Sequence, residues 1–271
     1  MAIGIMPLAE ADVGGVQLML QASIRPEVFR YTIYSCPGYS DYLRAQTRLP
    51  AAMSETLLFG VYRDGACCGF AEWRRNGRLL HLNNVFVVEA ARGAGYGDLL
   101  LAHGVRLAGE LGCDAMTLDV FAWNETAIRW YAKRGFRLTG ATFWHVADSR
   151  FAQERAQVRE PLPWRIDAAV VVRDYAFAEA QHRAYGFSAF TAETSSGRHT
   201  VGRIGNSVFR IRADSDEVDE QLAGGLAALD PRRELLVLSP GEKLPGCVSL
   251  GASYAMRREL GERVAGNLPF I

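Results

Sequence analysis

Six consecutive residues, Arg92-Gly93-Ala94-Gly95-Tyr96-Gly97, set a cation and three glycines directly ahead of a helical pattern. Without side chains in the way, backbone N–H groups converge there, and the helix N-terminus adds positive partial charge, which makes the segment a candidate phosphate cradle. Asn124 and Tyr131 lie seven residues apart, so a helix carries both on roughly one face, two turns apart. A phenol of ordinary pKa keeps its proton at neutral pH and can donate it to a developing anion. His81 stands on a strand ahead of the cradle, and imidazole has a pKa suited to taking a proton near neutrality. A structural or substrate-binding role is the other reading of His81, and Asn83 and Asn84 are alternatives that would position a water. Among carboxylates, Asp119 and Glu125 are nearest by sequence logic. Glu125 reads as a favourable first-turn helix charge; Glu72 either faces the site or, as the safer reading, is a solvated strand residue. His103 reads as a packed surface residue, whereas His145, His182 and His199 are scattered without ligand spacing, so no metal site is expected.

The elements that would position these groups follow from periodicity and turn chemistry. Gly4–Leu8 reads as a strand, Ala11–Ser23 as a helix, 26–37 as an aromatic-rich loop and Tyr39–Arg48 as a short helix. Leu57–Arg63, Cys67–Arg74 and Leu79–Val88 read as three antiparallel strands, joined by Asp64-Gly65 and Asn76-Gly77 turns. The glycine segment opens a helix to about Leu111, ended by Gly112. Ala115–Phe121 is a central strand, Asn124 caps a helix over Glu125–Arg134, Gly135 closes it, and Phe136–Val146 is a further strand. Ser149–Pro163, with charge and prolines but no apolar period, reads as a linker. Beyond it, Ala168–Val172 (strand), Phe177–Tyr185 (helix), two strands over Phe187–Arg212, Glu217–Leu229 (helix) and Glu234–Leu238 (strand) make a smaller unit.

Two nucleotide-binding readings of the cradle fail on its surroundings. A P-loop ends in Gly-Lys-Ser/Thr, but here Gly97 is followed by Asp98 with no lysine near. A dinucleotide fold needs its glycines after the first strand of a parallel βαβ unit, and these follow two hairpins. The segment Val87 to Gly97, with valine five residues before the arginine, resembles the acyl-CoA signature of the GNAT acetyltransferase superfamily. The run Asn124-Glu-Thr-Ala127-Ile128-Arg-Trp-Tyr131-Ala-Lys-Arg-Gly135-Phe136 is similar to that superfamily's second signature. The resemblance covers about Ile3 to Val146. It implies that the backbone around Val87, Gly93, Ala94, Gly95, Tyr96 and Gly97 binds the pantetheine and pyrophosphate of acetyl-CoA, with Arg92 nearby. It also implies that Asn124 contacts the pantetheine arm, that Tyr131 is the general acid, and that the strands flanking the glycine helix splay apart. Many relatives place a glutamate on the strand before the loop, but Leu79–Val88 contains no carboxylate, and His81 occupies about the matching position.

The expected fold class is therefore α+β (mixed α/β). A GNAT-like central mixed sheet flanked by helices, residues 1–148, is followed by a smaller α+β domain, residues 164–271, for which a degenerate GNAT-like unit is one of the readings left open. With 49% apolar residues, either half can build a core. Thirty basic residues balance thirty acidic ones, so no global field recruits nucleic acid. No segment approaches the length of a membrane span, and the start lacks a signal-peptide pattern. Five cysteines without ligand spacing read as reduced thiols of a cytoplasmic protein. Tyr31, Tyr34, Tyr39 and Tyr42 either line an acceptor pocket or pack against the second domain. The expected activity is N-acetyl transfer from acetyl-CoA, without a metal, to a primary amine of a small molecule or peptide. The alternatives are another acyl-CoA or a catalytically silent binding module; the sequence leaves a homodimer open.

Overall fold

Asp64 and Gly65 both take positive φ (51° and 86°), the geometry that lets a two-residue turn follow the twist of paired strands. They join β2 (Thr56–Arg63) to β3 (Ala66–Asn76), which pair antiparallel. The next turn is Gly77-Arg78, one residue later than expected, because only Gly77 takes positive φ there (56°). It leads into β4 (Leu79–Val87). The computed structural model describes residues 2–147 and 170–261, so the expected linker lies outside the described residues. The described chain forms two compact units.

The first unit comprises Met1–Val16, Arg44–Thr139 and Tyr254–Ile271. Its strand order is β1 (Ile3–Pro7), β2, β3, β4, β5 (Ala115–Phe121), and then residues 254–259 of a final strand, β12 (Cys247–Glu259). The first residues of β6 (Arg137–Ala147) follow, with Thr139 Oγ1 donating to the Ala255 carbonyl at 3.1 Å. Beyond β5, Leu260 N donates to Asp114 O at 2.8 Å. The sequence reading missed β12 altogether. It contains a glycine and a basic run rather than a clean alternation. Its partners are also remote in the chain, and such pairing leaves no local trace.

Between β4 and β5 runs α4 (Tyr96–Glu110), which packs on β3 at Gly104. A Cβ on that glycine would stand 2.1 Å from the Trp73 indole, so only glycine admits the helix so close to the sheet. The core here gathers Trp73, Leu80, Leu100, Met116, Leu118 and, from β12, Met256. Helix α5 (Glu125–Ala132) ends two residues before the expected Arg134, and Gly135 follows at φ 84°.

The second unit comprises Gln17–Leu43 and Gly140–Ser253. Helix α1 (Val13–Ser23) begins in the first unit and ends in this one. The stretch expected as a loop contains a short helix, α2 (Pro26–Phe29), and a single 3-10 turn at Ile33–Ser35, followed by α3 (Tyr39–Thr47). The strand order is β6, β11 (Glu234–Ser239), β10 (Val208–Arg212), β9 (Gly197–Ile204), β8 (Phe187–Thr194), β7 (Val171–Arg173). Three strands, not two, fill the stretch after Phe187, because turns at Ser195-Ser196 and Gly205–Ser207 both interrupt it. Helices α6 (Tyr175–Tyr185) and α7 (Glu220–Leu229) precede β8 and β11. Three antiparallel strands, a crossover helix and a parallel strand thus occur in each unit: β2-β3-β4-α4-β5 and β8-β9-β10-α7-β11.

Candidate active site

Strands β4 and β5 are parallel and pair from Leu79↔Ala115 to Leu82↔Leu118. Past that point the register ends, although the strands run on to Val87 and Phe121. The cause lies on the other edge of β4. Trp73 pairs with Leu82 and Glu72 with Asn84, so Asn83 is an extra residue, a bulge that bends the strand away. The opening lies at the end of β4 from which the chain runs into the glycine segment.

In that segment Gly93 and Gly95 take positive φ (79° and 80°), and Gly95 is the N-cap of α4. A Cβ at either would meet nothing within 4 Å, so the space in front of the loop is open. The first turn of α4 has N–H groups with no intrahelical acceptor, and no side chain caps them. Gly97 serves packing as well: a Cβ there would come within 3.3 Å of the Trp130 ring. Asp98 in the same turn faces α5, accepting from Trp130 Nε1 at 3.1 Å and pairing with Arg134, so its charge is held by those partners. Arg92 is exposed, donates to Val87 O at 3.3 Å and lies over the Phe86 ring. Ala94 is exposed, whereas the Tyr96 side chain is buried in the core, leaving only its backbone to face a ligand. The loop therefore fits a diphosphate: free amides, a helix N-terminus and a nearby guanidinium.

Asn124 caps α5, its side-chain oxygen accepting from Ala127 N at 3.1 Å, which leaves the amide NH₂ as its donor group. Tyr131 is 7% exposed and packs edge-on against Trp130 and Phe136. Burial raises its pKa above the ordinary phenol value, so the hydroxyl stays protonated through neutral pH. Among the described residues, its hydroxyl makes no hydrogen bond to protein.

His81 sits on β4 just before the opening. Its Nδ1 is 3.0 Å from Thr117 Oγ1 and its Nε2 is 3.9 Å from Asp119 Oδ2, both on β5. Burial lowers its pKa, the Asp119 carboxylate opposes that, and Arg74 adds to the lowering. The ring is neutral at pH 7. Glu72, expected in solvent, is 0% exposed: β3 is central and covered on both faces. It accepts from Arg74 at 3.1 Å and from Asn84 Nδ2 at 2.7 Å, which satisfies the buried carboxylate. Arg74 and Thr117 were not anticipated as members of this cluster; His81, the strand partner of both, was the available signal. Glu125 pairs with Arg129 at 3.1 Å, as a first-turn charge would. His103 stacks beside Phe59, their ring centroids 4.2 Å apart. Tyr39 and Tyr42 pack against Phe187, and Tyr42 against Tyr185, which supports packing over an acceptor wall for these tyrosines.

With the glycine loop, the bulge and the opened strand pair in place, residues 27–136 match the model of the Acetyltransferase (GNAT) family. This segment is similar to the GNAT acetyltransferases. Thialysine N-epsilon-acetyltransferase of Sus scrofa is 32% identical over 77 residues, covering 28% of this chain and 44% of that protein; its Bos taurus counterpart is 31% identical over the same length. The chain thus spans less than half the length of these curated relatives. Over the whole chain, the fold is that of a tandem GNAT protein from the clavulanic acid biosynthesis pathway. The TM-score is 0.63 at 15% identity, with 96% of this chain and 99% of that one covered. A GCN5-related N-acetyltransferase from Sphaerobacter thermophilus gives 0.57 at 14% identity, with 95% of each chain covered. At such identities the likeness is one of fold, and it extends the GNAT architecture beyond the segment that the family model matches.

Proposed function

We propose that the first unit is an N-acetyltransferase that moves an acetyl group from acetyl-CoA to a primary amine of a small molecule or peptide. The observation that carries this reading is the uncapped N-terminus of α4, with Gly93 and Gly95 at positive φ, beside the point where β4 and β5 part. The amides of the Gly93–Gly97 loop and the Arg92 guanidinium would hold the diphosphate, and the Asn124 NH₂ would meet an amide carbonyl of the pantetheine arm. Acetyl-CoA would supply the activated thioester. The acceptor nitrogen bonds to the acyl carbon as the carbon–sulfur bond breaks, so one proton leaves nitrogen and one arrives at sulfur. His81, neutral at pH 7, takes the first, and Tyr131 gives the second. In the second unit the crossover helix has no comparable cradle among the described residues: α7 is capped by Asp219, which accepts from Leu222 N at 3.0 Å, and Asp214, Asp216 and Glu217 precede it. That helix start is satisfied and acidic, so we assign one acetyl-CoA per chain.

One specific feature favours a second reading, a silent acyl-CoA-binding module: β4 carries no carboxylate. A coenzyme A release screen against an amine library decides between them. Turnover above thioester hydrolysis with any amine supports the transferase, and binding without turnover across the library supports the module.

A further inference from the structure

The second unit holds a cavity of about 860 Å³ between the end of α6, the β9–β10 turn and the loop before β11. Its inner wall contains two buried guanidiniums. Arg203 is 7% exposed, and the Arg233 side chain is 4% exposed. Burial lowers the pKa of Arg233 and the like charge of Arg203 lowers it further, so the two cations feel one another. At the rim, Arg183 and Arg232 are solvated, their side chains 79% and 85% exposed, and each is paired with a carboxylate. Two carboxylates serve all four: Glu179 meets Arg203 at 2.7 Å and Arg183 at 3.3 Å, and Asp230 meets Arg233 at 3.1 Å and Arg232 at 3.0 Å. Asp41 also lines the cavity, so four arginines against three carboxylates leave one positive charge in excess. The wall also includes His182, 8% exposed, with neither ring nitrogen hydrogen-bonded; the Asn206 side chain lies beside the ring without satisfying either nitrogen.

A concave site of this size, with excess guanidinium and an unsatisfied imidazole, is built for an acceptor-rich anion. We propose that this cavity binds a small metabolite bearing carboxylate or phosphate groups, independently of the acetyl-CoA site. The planar forks of Arg183 and Arg232 would close on the anion from the rim, and Arg203 and Arg233 would supply field from below. All of these residues belong to the second unit.

The test uses the full chain carrying Gly95→Asp, so that the first unit's glycine loop contributes no anion binding. Citrate and inorganic phosphate are titrated calorimetrically at low salt, with and without Arg183→Glu and Arg232→Glu. These rim side chains are exposed, so the double variant keeps its fold, and an unchanged urea midpoint verifies this. Saturable one-to-one binding of either anion at about 1 mM or tighter, weakened at least about tenfold by the double charge reversal, is the expected result. Binding of neither anion below about 10 mM, or binding indifferent to the charge reversal, overturns the proposal.

Discussion

Asn84 donates to the Glu72 carboxylate at 2.7 Å across the β3–β4 ladder, immediately beside the bulge that turns β4 away from β5. This hydrogen bond joins those from Arg74 in satisfying a fully buried carboxylate, and it ties β4 to β3 beside the bulge. Asn84→Leu keeps similar bulk but removes the donor. The expected cost is about 1–3 kcal/mol, the usual penalty for leaving a buried acceptor short of a partner. Urea unfolding should show a lower midpoint at an unchanged slope. A midpoint equal to that of the parent would mean that Arg74 alone satisfies Glu72.

Glycines in and beneath the cradle should fail in different ways. Gly95→Asp places a carboxylate where a diphosphate would lie, in a residue type that tolerates positive φ comparatively well. Acetyl-CoA binding should disappear from calorimetry while the far-ultraviolet dichroism stays native. Gly104→Ala forces a methyl to 2.1 Å from Trp73 in the present geometry, and overpacking of this kind costs about 1–3 kcal/mol. That variant should lose thermal stability and keep affinity for whatever fraction remains folded. Retained binding in a folded Gly95→Asp protein would remove the loop as the cofactor site.

Tyr131 tests the chemistry. Removing its hydroxyl should slow the step in which charge appears on sulfur more than it weakens cofactor binding, because the hydrogen bond strengthens only as that charge forms. General-acid help is worth about 10²–10⁴ in rate, so Tyr131→Phe should lose at least about tenfold in single-turnover rate with acetyl-CoA affinity nearly unchanged. A rate within about twofold of the parent would make the ring a packing element against Trp130 and Phe136.

The pH dependence should report on His81 and its carboxylate neighbour. Burial lowers the His81 pKa, so the acidic limb of kcat/KM should lie below the ordinary histidine value of about 6.5. Asp119 opposes the lowering by stabilising the imidazolium. Asp119→Asn therefore lowers the His81 pKa further and should move the acidic limb to still lower pH, leaving the rate near pH 8 little changed. A limb that stays in place in Asp119→Asn, yet vanishes in His81→Ala, would show that the two groups are uncoupled. Persistence of the limb in His81→Ala would assign the base elsewhere.

Local chemistry made much of the first unit legible. Asp64-Gly65 declared its turn because both residues accept positive φ, and Asn124 declared the start of α5 because its side chain can take the Ala127 N–H. Ala115–Phe121 matched residue for residue because an apolar, β-branched run bounded by turns has few alternatives. The glycine turn ahead of α4 was readable for the same reason: Gly93 and Gly95 take positive φ. What failed was whatever depends on partners far away in the chain. Glu72 looked solvated because alternation assigns one face of a strand to water, and nothing in the sequence of β3 says that both faces are covered. The Thr117–His81 contact needed the parallel register of β4 and β5. Strand β12 was invisible because Arg257, Arg258 and Glu259 argue against a strand, while its partners β5 and β6 lie more than a hundred residues upstream.

The position of β12 also constrains how the protein comes into being. As the chain is synthesised, β5 emerges with one edge bare, and its neighbour Tyr254–Glu259 appears only after the whole stretch from Gly140 to Ser253 has been made. Until then, a strand edge beside the β4–β5 opening is exposed, the state in which nascent domains pair wrongly or meet chaperones. A chain that stopped before Tyr254 would contain the Arg92–Gly97 loop, Asn124 and Tyr131, and would lack the strand that lies beside β5.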